Sequence, residues 1–178
     1  MNYKYISGKQ SSLTLDQMKN NHYLLFDSST KQIEYKDQYN FVIGSKNPRG
    51  INLKTKVQNN MVIADYTFLP EHVGPPNITH GGVLSAICDD VMGLVCFCLN
   101  RISMTINLNV NYLQPVYLGK QYFIKAWLVD INNKKITCES IIYDEKKICI
   151  EASGLFYLYD KKTSMLPKAN IQHPLERE

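Results

Sequence analysis

One long apolar segment, GGVLSAICDDVMGLVCFCL from Gly81 to Leu99, constrains the fold more than any other part of the chain. A helix that is apolar on every side must be enclosed on every side. The segment therefore predicts a central helix that the rest of the chain covers. After the two opening glycines, its strongly polar residues are Ser85, Asp89 and Asp90.

Segments with the alternation or composition of β-strands lie on both sides of this helix. In the segment SMTINLNVNYLQP, Ile106, Leu108, Val110 and Tyr112 alternate with polar residues, which is typical of a half-buried strand. Strands interrupted by a single helix indicate an α+β fold, with an antiparallel sheet of about six strands wrapped around the helix and its last four strands in a meander. The predicted strands are 51–57, 61–69, 103–115, 121–131, 135–144 and 147–160.

The length of 178 residues, with 44% hydrophobic residues, suits one domain with its own core. Residues 1–44 are interpreted as an N-terminal extension packed on the main body, and SLTLDQMKNNHYLLF, which starts at Ser12, is expected to open as a helix. Residues 45–160 are predicted to form the domain, followed by a loosely ordered tail at 161–178.

Composition argues against several classes of protein. The five cysteines form no CxxC pair and stand near no histidine pair, so neither a disulfide framework nor a metal site is expected. The chain start lacks a signal-peptide pattern, and the longest apolar run, Leu94–Leu99, is too short to cross a bilayer. The scattered lysines and a net charge of +4 are a weak footprint for nucleic acid but suit an anionic small molecule. We expect a cytoplasmic protein that binds neither nucleic acid nor membrane.

The start of the predicted helix and its middle both carry candidate functional groups. Backbone N–H groups at a helix start lack intrahelical partners, so the turn at His80, Gly81 and Gly82 can stabilise negative charge on a carbonyl oxygen. Asp89 follows about two and a half turns later. A buried ionised carboxylate needs partners, or its pKa rises. Functional carboxylates and structural ones both fit this pattern.

His80, Gly81 and Gly82, followed after six residues by Asp89, resemble the HGGxxxxxxD pattern of hotdog-fold acyl-coenzyme A thioesterases, the PaaI-type branch that includes the human THEM thioesterases. The resemblance extends to NPRG at 47–50 and to TINLNVNYLQPVYLG at 105–119, and covers roughly residues 45–158. It implies a hotdog fold and hydrolysis of an acyl-CoA with no cofactor besides the coenzyme A of the substrate. It also implies a homodimer, or a homotetramer built as a dimer of dimers.

The resemblance also implies a role for each matching residue. Asp89 becomes the general base or nucleophile, and a backbone N–H of Gly81 or Gly82, preferably Gly81, becomes the oxyanion donor. Thr105 is expected to come from the partner subunit and to position the attacking water. His80 is expected to shape the loop before the helix by hydrogen bonding.

Further residues are candidates for binding the substrate. Asn77 either holds the imidazole of His80 or is a turn residue. Arg101 is a candidate for the coenzyme A phosphates, because Asn111 and Gln114 stand where members of the family often carry basic residues. Two residues line the acyl pocket or are plain core: Met92 and Tyr66.

Other functions fit parts of the pattern. A non-catalytic hotdog domain that binds an acyl-CoA would use the same helix, but it would not need both Asp89 and Thr105. A hydratase would require a His/Asp or Glu/His pair at helical spacing, which the four histidines do not offer. A cysteine nucleophile is disfavoured, because burial in an apolar helix raises the pKa of a thiol. Asp90 is expected to be structural.

Overall fold

The computed structural model describes residues 24–36 and 38–158, which form eight antiparallel strands and one long helix, α1 (Gly81–Cys98). All eight strands join one sheet in the order β1-β2-β3-β4-β6-β7-β8-β5. The predicted α+β class, with an antiparallel sheet around one helix, is confirmed. The strands are β1 (Leu24–Phe26), β2 (Gln32–Tyr35), β3 (Thr55–Gln58), β4 (Met61–Thr67), β5 (Ser103–Tyr112), β6 (Gln121–Asn132), β7 (Lys135–Tyr143) and β8 (Ile148–Leu158).

Helix α1 packs against the strands from β4 to β8, and the core lies between them. Among the helices of the described residues, only α1 is long and apolar enough to cross a membrane. Half of it is buried inside this fold. The sheet thus provides the enclosure that an apolar helix needs. Buried side chains on the helix include Leu84, Ile87, Val91, Leu94 and Val95, and those on the sheet include Ile124, Ile136, Ile142, Ile150 and Phe156.

The sheet has eight strands rather than the predicted six, because the segment before residue 45 contributes β1 and β2. Leu24 and Ile33 are buried in the core, and Ile33 pairs with Thr55 of β3. The helix predicted from Ser12 is therefore wrong at its end, where Leu24–Phe26 form a strand. Its earlier part lies outside the described residues. Burial against the sheet has overridden the weak local preference of this segment.

The predicted meander is wrong in its strand order, because β5 pairs with β8 instead of β6. Alternation in a sequence tells which face of a strand is buried, but not which strand lies beside it. A β-bulge between Thr105 and Asn107 also breaks the alternation of β5. As a result Leu108 and Val110 pack against the core, whereas Ile106 is 53% exposed.

A loop at residues 40–54 packs beside α1 and connects β2 to β3. Ile51 and Leu53 are buried, and they donate their backbone N–H groups to the carbonyls of Phe41 and Val42 within this loop. The strand predicted at 51–57 consequently begins only at Thr55.

Candidate active site

His80 fixes the start of helix α1. Its backbone is extended, and its Nδ1 accepts the N–H of Gly82 at 2.9 Å, as an N-cap does. Its own backbone N–H donates to the carbonyl of His72 at 2.8 Å. His80 thus makes the kind of shaping contact predicted for it, and its lone pair on Nδ1 is engaged in that contact.

The hydrogen bond from Gly82 to His80 makes the two glycines unequal as candidate oxyanion donors. The N–H of Gly82 is occupied by His80. The N–H of Gly81 meets no acceptor among residues 24–36 and 38–158. It lies at the positive end of the helix dipole, where an incoming oxygen atom with negative charge is stabilised. The geometry therefore favours Gly81 as the donor.

Tyr112, the last residue of β5, lies against this first turn, a contact that was not predicted from the sequence. Its hydroxyl donates to the carbonyl of Gly81 at 3.1 Å and is also hydrogen-bonded to the hydroxyl of Ser85. A Cβ on Gly81 would lie 3.3 Å from the Tyr112 ring, so the close approach favours glycine there. The spacing of four residues from Gly81 to Ser85 and on to Asp89, which places all three on one helix face, is the signal that was available.

Asp89 is bound by Thr105 of the same chain. The Oγ1 of Thr105 donates to Oδ1 of Asp89 at 2.8 Å. The resemblance implied a threonine from the partner subunit, whereas this contact is made within one chain. The physical reason is that β5, which carries Thr105 near its start, packs along α1 within one chain.

Gly81 and Asp89 are too far apart along α1 to act on one carbonyl group from a single chain. They are separated by eight residues, which is about 12 Å along the axis at ~1.5 Å per residue. A reacting carbonyl must lie about 3 Å from both the oxyanion donor and the base or nucleophile. A site that uses both groups therefore requires two copies of the chain.

Asp90, by contrast, points into a buried environment formed by the chain before residue 45. Nδ2 of Asn40 donates to Oδ1 of Asp90 at 3.0 Å, while Oδ2 is buried with no hydrogen-bond partner in the described part of the chain. Burial raises the pKa of Asp90 to about 7, and the negative charge of Asp89 adds to this while the Asn40 bond opposes it. Tyr35 of β2 lies on the same side, and burial, followed by the charge of Asp90, raises its pKa. These contacts are those of a structural carboxylate.

The two residues considered for the acyl pocket are both engaged in packing. Met92 is completely buried, and its terminal methyl group lies against Gly154 of β8. The hydroxyl of Tyr66 donates to the carbonyl of Ile51 at 3.1 Å, and its ring contacts His72. The contacts of Met92 and Tyr66 are therefore those of plain core residues.

The other two binding candidates lie away from the helix start or in a turn beside it. Asn77 has a left-handed backbone, with φ of 61°, and its carbonyl accepts the N–H of Leu118, which agrees with the turn alternative. Arg101 is exposed beyond the other end of α1, so the fold does not bring it near Gly81.

Two cysteines of helix α1, Cys88 and Cys98, are not suited to nucleophilic attack. All five cysteines of the chain are free and buried. Burial raises the pKa of Cys88 to about 11 and that of Cys98 to about 12, so neither supplies a thiolate at neutral pH. No three His, Cys, Asp or Glu side chains are grouped as metal ligands in the described residues.

Known proteins share this architecture. Residues 76–150 match the family model of the thioesterase superfamily. A crystal structure of a thioesterase superfamily protein superposes with a TM-score of 0.64 and 25% identity over 67% of this chain and 63% of its own. A Streptococcus pneumoniae hypothetical thioesterase with coenzyme A has a TM-score of 0.58 and 22% identity, over 61% of this chain and 87% of its own. The protein has a hotdog fold, and the resemblance to hotdog-fold thioesterases is confirmed.

A similar protein by sequence is the acyl-coenzyme A thioesterase THEM4 of Bos taurus. It is 33% identical over 93 residues, which are 51% of this chain and 38% of the relative. The matched segment thus spans well under half the length of this relative.

Proposed function

We propose that this protein is an acyl-CoA thioesterase, which hydrolyses an acyl-CoA to a free acid and coenzyme A and needs no further cofactor. The observation that carries the proposal is the pairing of Asp89 with Thr105 on a helix whose first turn offers the unoccupied N–H of Gly81. The THEM4 relative, named as an acyl-CoA thioesterase, and the neighbour solved with coenzyme A support it.

The residues can supply each part of the hydrolysis. Asp89 accepts a proton from a water molecule, whose oxygen attacks the thioester carbonyl. The carbonyl oxygen gains negative charge, which the N–H of Gly81 stabilises. The C–S bond then breaks, and a thiolate leaves without much acid help because the pKa of a thiol is only about 8.5. Thr105 holds one carboxylate oxygen of Asp89 and leaves the other for the water.

The separation of Gly81 from Asp89 leads us to place the complete site between two copies of the chain. One copy supplies Gly81, and the other supplies Asp89 with its Thr105. The exposed edge strand β5 is a suitable contact surface, because Met104 and Ile106 are 54% and 53% exposed on it. A symmetric homodimer would contain two such sites.

The experiment that tests the proposed activity is release of free thiol from a panel of acyl-CoA esters, from acetyl through aryl to palmitoyl. The wild type should turn over at least one ester, and Asp89→Asn should lose about 10²- to 10⁴-fold because it removes the base. Asp90→Asn is the matched control, since it makes the same chemical change one residue away. A wild type that hydrolyses no ester, yet is thermally stabilised by one, would identify a non-catalytic acyl-CoA-binding protein.

Mixing of inactive subunits tests the site between two chains. Gly81→Pro removes the proposed donor, and proline is tolerated at the first position of a helix after the extended backbone of His80. It should lower kcat about 10²-fold or more. Gly81→Ala is the control, because it keeps the N–H and adds the same Cβ beside the Tyr112 ring, so that the difference between the two variants measures the loss of the donor.

An equimolar mixture of Gly81→Pro and Asp89→Asn chains should recover about a quarter of the wild-type activity. Random pairing makes half of the dimers mixed, and each mixed dimer holds one site with both halves intact. If the mixture stays as inactive as its components after subunit exchange has been verified by mass spectrometry, the two-chain site is wrong.

A further inference from the structure

Two side chains bind the peptide unit that joins Gly81 to Gly82, and a third binds one of them. The carbonyl oxygen of this unit accepts the hydroxyl of Tyr112 at 3.1 Å, and its N–H donates to Nδ1 of His80 at 2.9 Å. The hydroxyl of Ser85, one turn further along α1, is bonded to the same Tyr112 hydroxyl. The peptide is therefore held at both ends by side chains.

The direction of these hydrogen bonds follows from the number of protons. A tyrosine hydroxyl has one proton to donate, and Tyr112 donates it to the carbonyl of Gly81. Ser85 must then be the donor in its bond to Tyr112. The chain of donation runs from Ser85 through Tyr112 to Gly81, so Ser85 fixes the tyrosine and the tyrosine fixes the backbone.

We propose that Tyr112 and Ser85 are positioning residues for thioester hydrolysis, which hold the first turn of α1 so that the N–H of Gly81 points at the developing oxyanion. The inference rests on the proposed function. The N–H of Gly81 lies in the adjoining His80–Gly81 peptide unit, which is joined to the clamped unit through the Cα of Gly81. The clamp therefore limits the movement of the residue that carries this donor. Oxyanion donors act through fixed orientation, which makes a rigid first turn valuable.

The test compares kcat, KM and the amide NMR resonance of Gly81 in full-length variants. Tyr112→Phe keeps the ring over Gly81 but removes the hydroxyl, and it should lower kcat about three- to tenfold with KM changed less than about twofold. Ser85→Ala should have a smaller effect in the same direction, and Ser85→Thr should restore most of the loss because it retains a hydroxyl. The Gly81 amide resonance should shift in both hydroxyl-deleted variants.

Tyr143→Phe is the matched control, because Tyr143 of β7 contacts Phe123 and Lys125 through its ring. It should leave kcat and the Gly81 resonance unchanged. The double variant Tyr112→Phe with Ser85→Ala should be no slower than Tyr112→Phe alone, since Ser85 acts only through the tyrosine.

The two ways of failing are distinguishable. If the wild type turns over an ester and Asp89→Asn does not, but Tyr112→Phe has the kcat and Gly81 resonance of the wild type, the positioning role alone is overturned. Additive losses in the double variant would also overturn it. If the wild type hydrolyses no ester, the proposed function is wrong and this inference is wrong with it.

Discussion

Asp89 and Asp90 are neighbours in the sequence, yet they lie in opposite environments. Asp89 is on the helix face that β5 borders at the open edge of the sheet, where Thr105 binds it. Asp90 is turned toward the 40–54 loop and β2, where Asn40 binds it and burial raises its pKa to about 7. Successive residues on a helix differ in direction by about 100°, which is enough to divide two identical side chains between a reactive edge and a buried interior.

The comparison shows that burial alone does not identify a reactive carboxylate. Burial raises the pKa of Asp90, yet its hydrogen-bond partner is Asn40, and its Oδ2 is buried with no partner in the described part of the chain. Perturbed pKa values cluster at functional sites, but structural groups show them too. Geometry at the helix face, namely Thr105 beside Asp89 and Gly81 on the same face, is the better guide here.

Asp90→Asn is expected to have the largest effect on stability, and it tests the contrast between Asp89 and Asp90. The pKa of Asp90 in the folded protein, about 7, lies above the usual aspartate value of 3.8. Between these two values the folded state therefore keeps the proton while the unfolded chain loses it. The contribution of Asp90 to the free energy of unfolding of the wild type is therefore fully present below about pH 4. It falls as the pH rises toward 7 and stays low above that pH. At pH 8 the variant should be more stable than the wild type by up to about 4 kcal/mol, at ~1.4 kcal/mol per unit of pKa difference.

Urea unfolding of both proteins at pH 4 and pH 8 measures this difference. The two should be nearly equally stable at pH 4, where Asp90 is protonated in the folded state and close to half protonated in the unfolded chain. The variant should also keep its thioesterase activity within about threefold, since the residue is placed outside the reaction. A variant that is less stable than the wild type at pH 8, or that is as inactive as Asp89→Asn, would break the distinction between the two aspartates.

Much of the fold was predictable because it depends on local patterns. The apolar helix requires enclosure, and turn residues between alternating segments mark most of the strands. What was missed depends on contacts between distant segments: β1 and β2 form only as they pair onto β3, and β5 finds β8 through tertiary packing. Short segments such as Leu24–Phe26 have too few residues for their alternation to be distinctive.

The site was predictable only in part, for the same reason. The pattern of His80, the glycines and Asp89 lies within one short segment, so the sequence displays it. The contact of Thr105 with Asp89 of its own chain, and that of Tyr112 with Gly81, join β5 to α1 across the packed fold. Residue identity could suggest a hydroxyl near the carboxylate, but it does not show that the chain path brings one from β5 to Asp89.

Thr105→Ala should have a smaller effect on turnover than Asp89→Asn, and it tests whether the Asp89 side of the comparison is complete within one chain. Loss of one hydrogen bond to a carboxylate should lower kcat about tenfold, because the carboxylate is held less firmly, while Thr105→Ser should retain most of the rate. Ester hydrolysis under saturating substrate measures both variants. Mixing Thr105→Ala with Asp89→Asn chains should recover nothing beyond the residual rate of the Thr105→Ala chains, since both changes damage the same half of the site. Recovery toward the wild-type rate would instead place the threonine in the partner subunit and show that the Thr105–Asp89 hydrogen bond within one chain is not the one used in turnover.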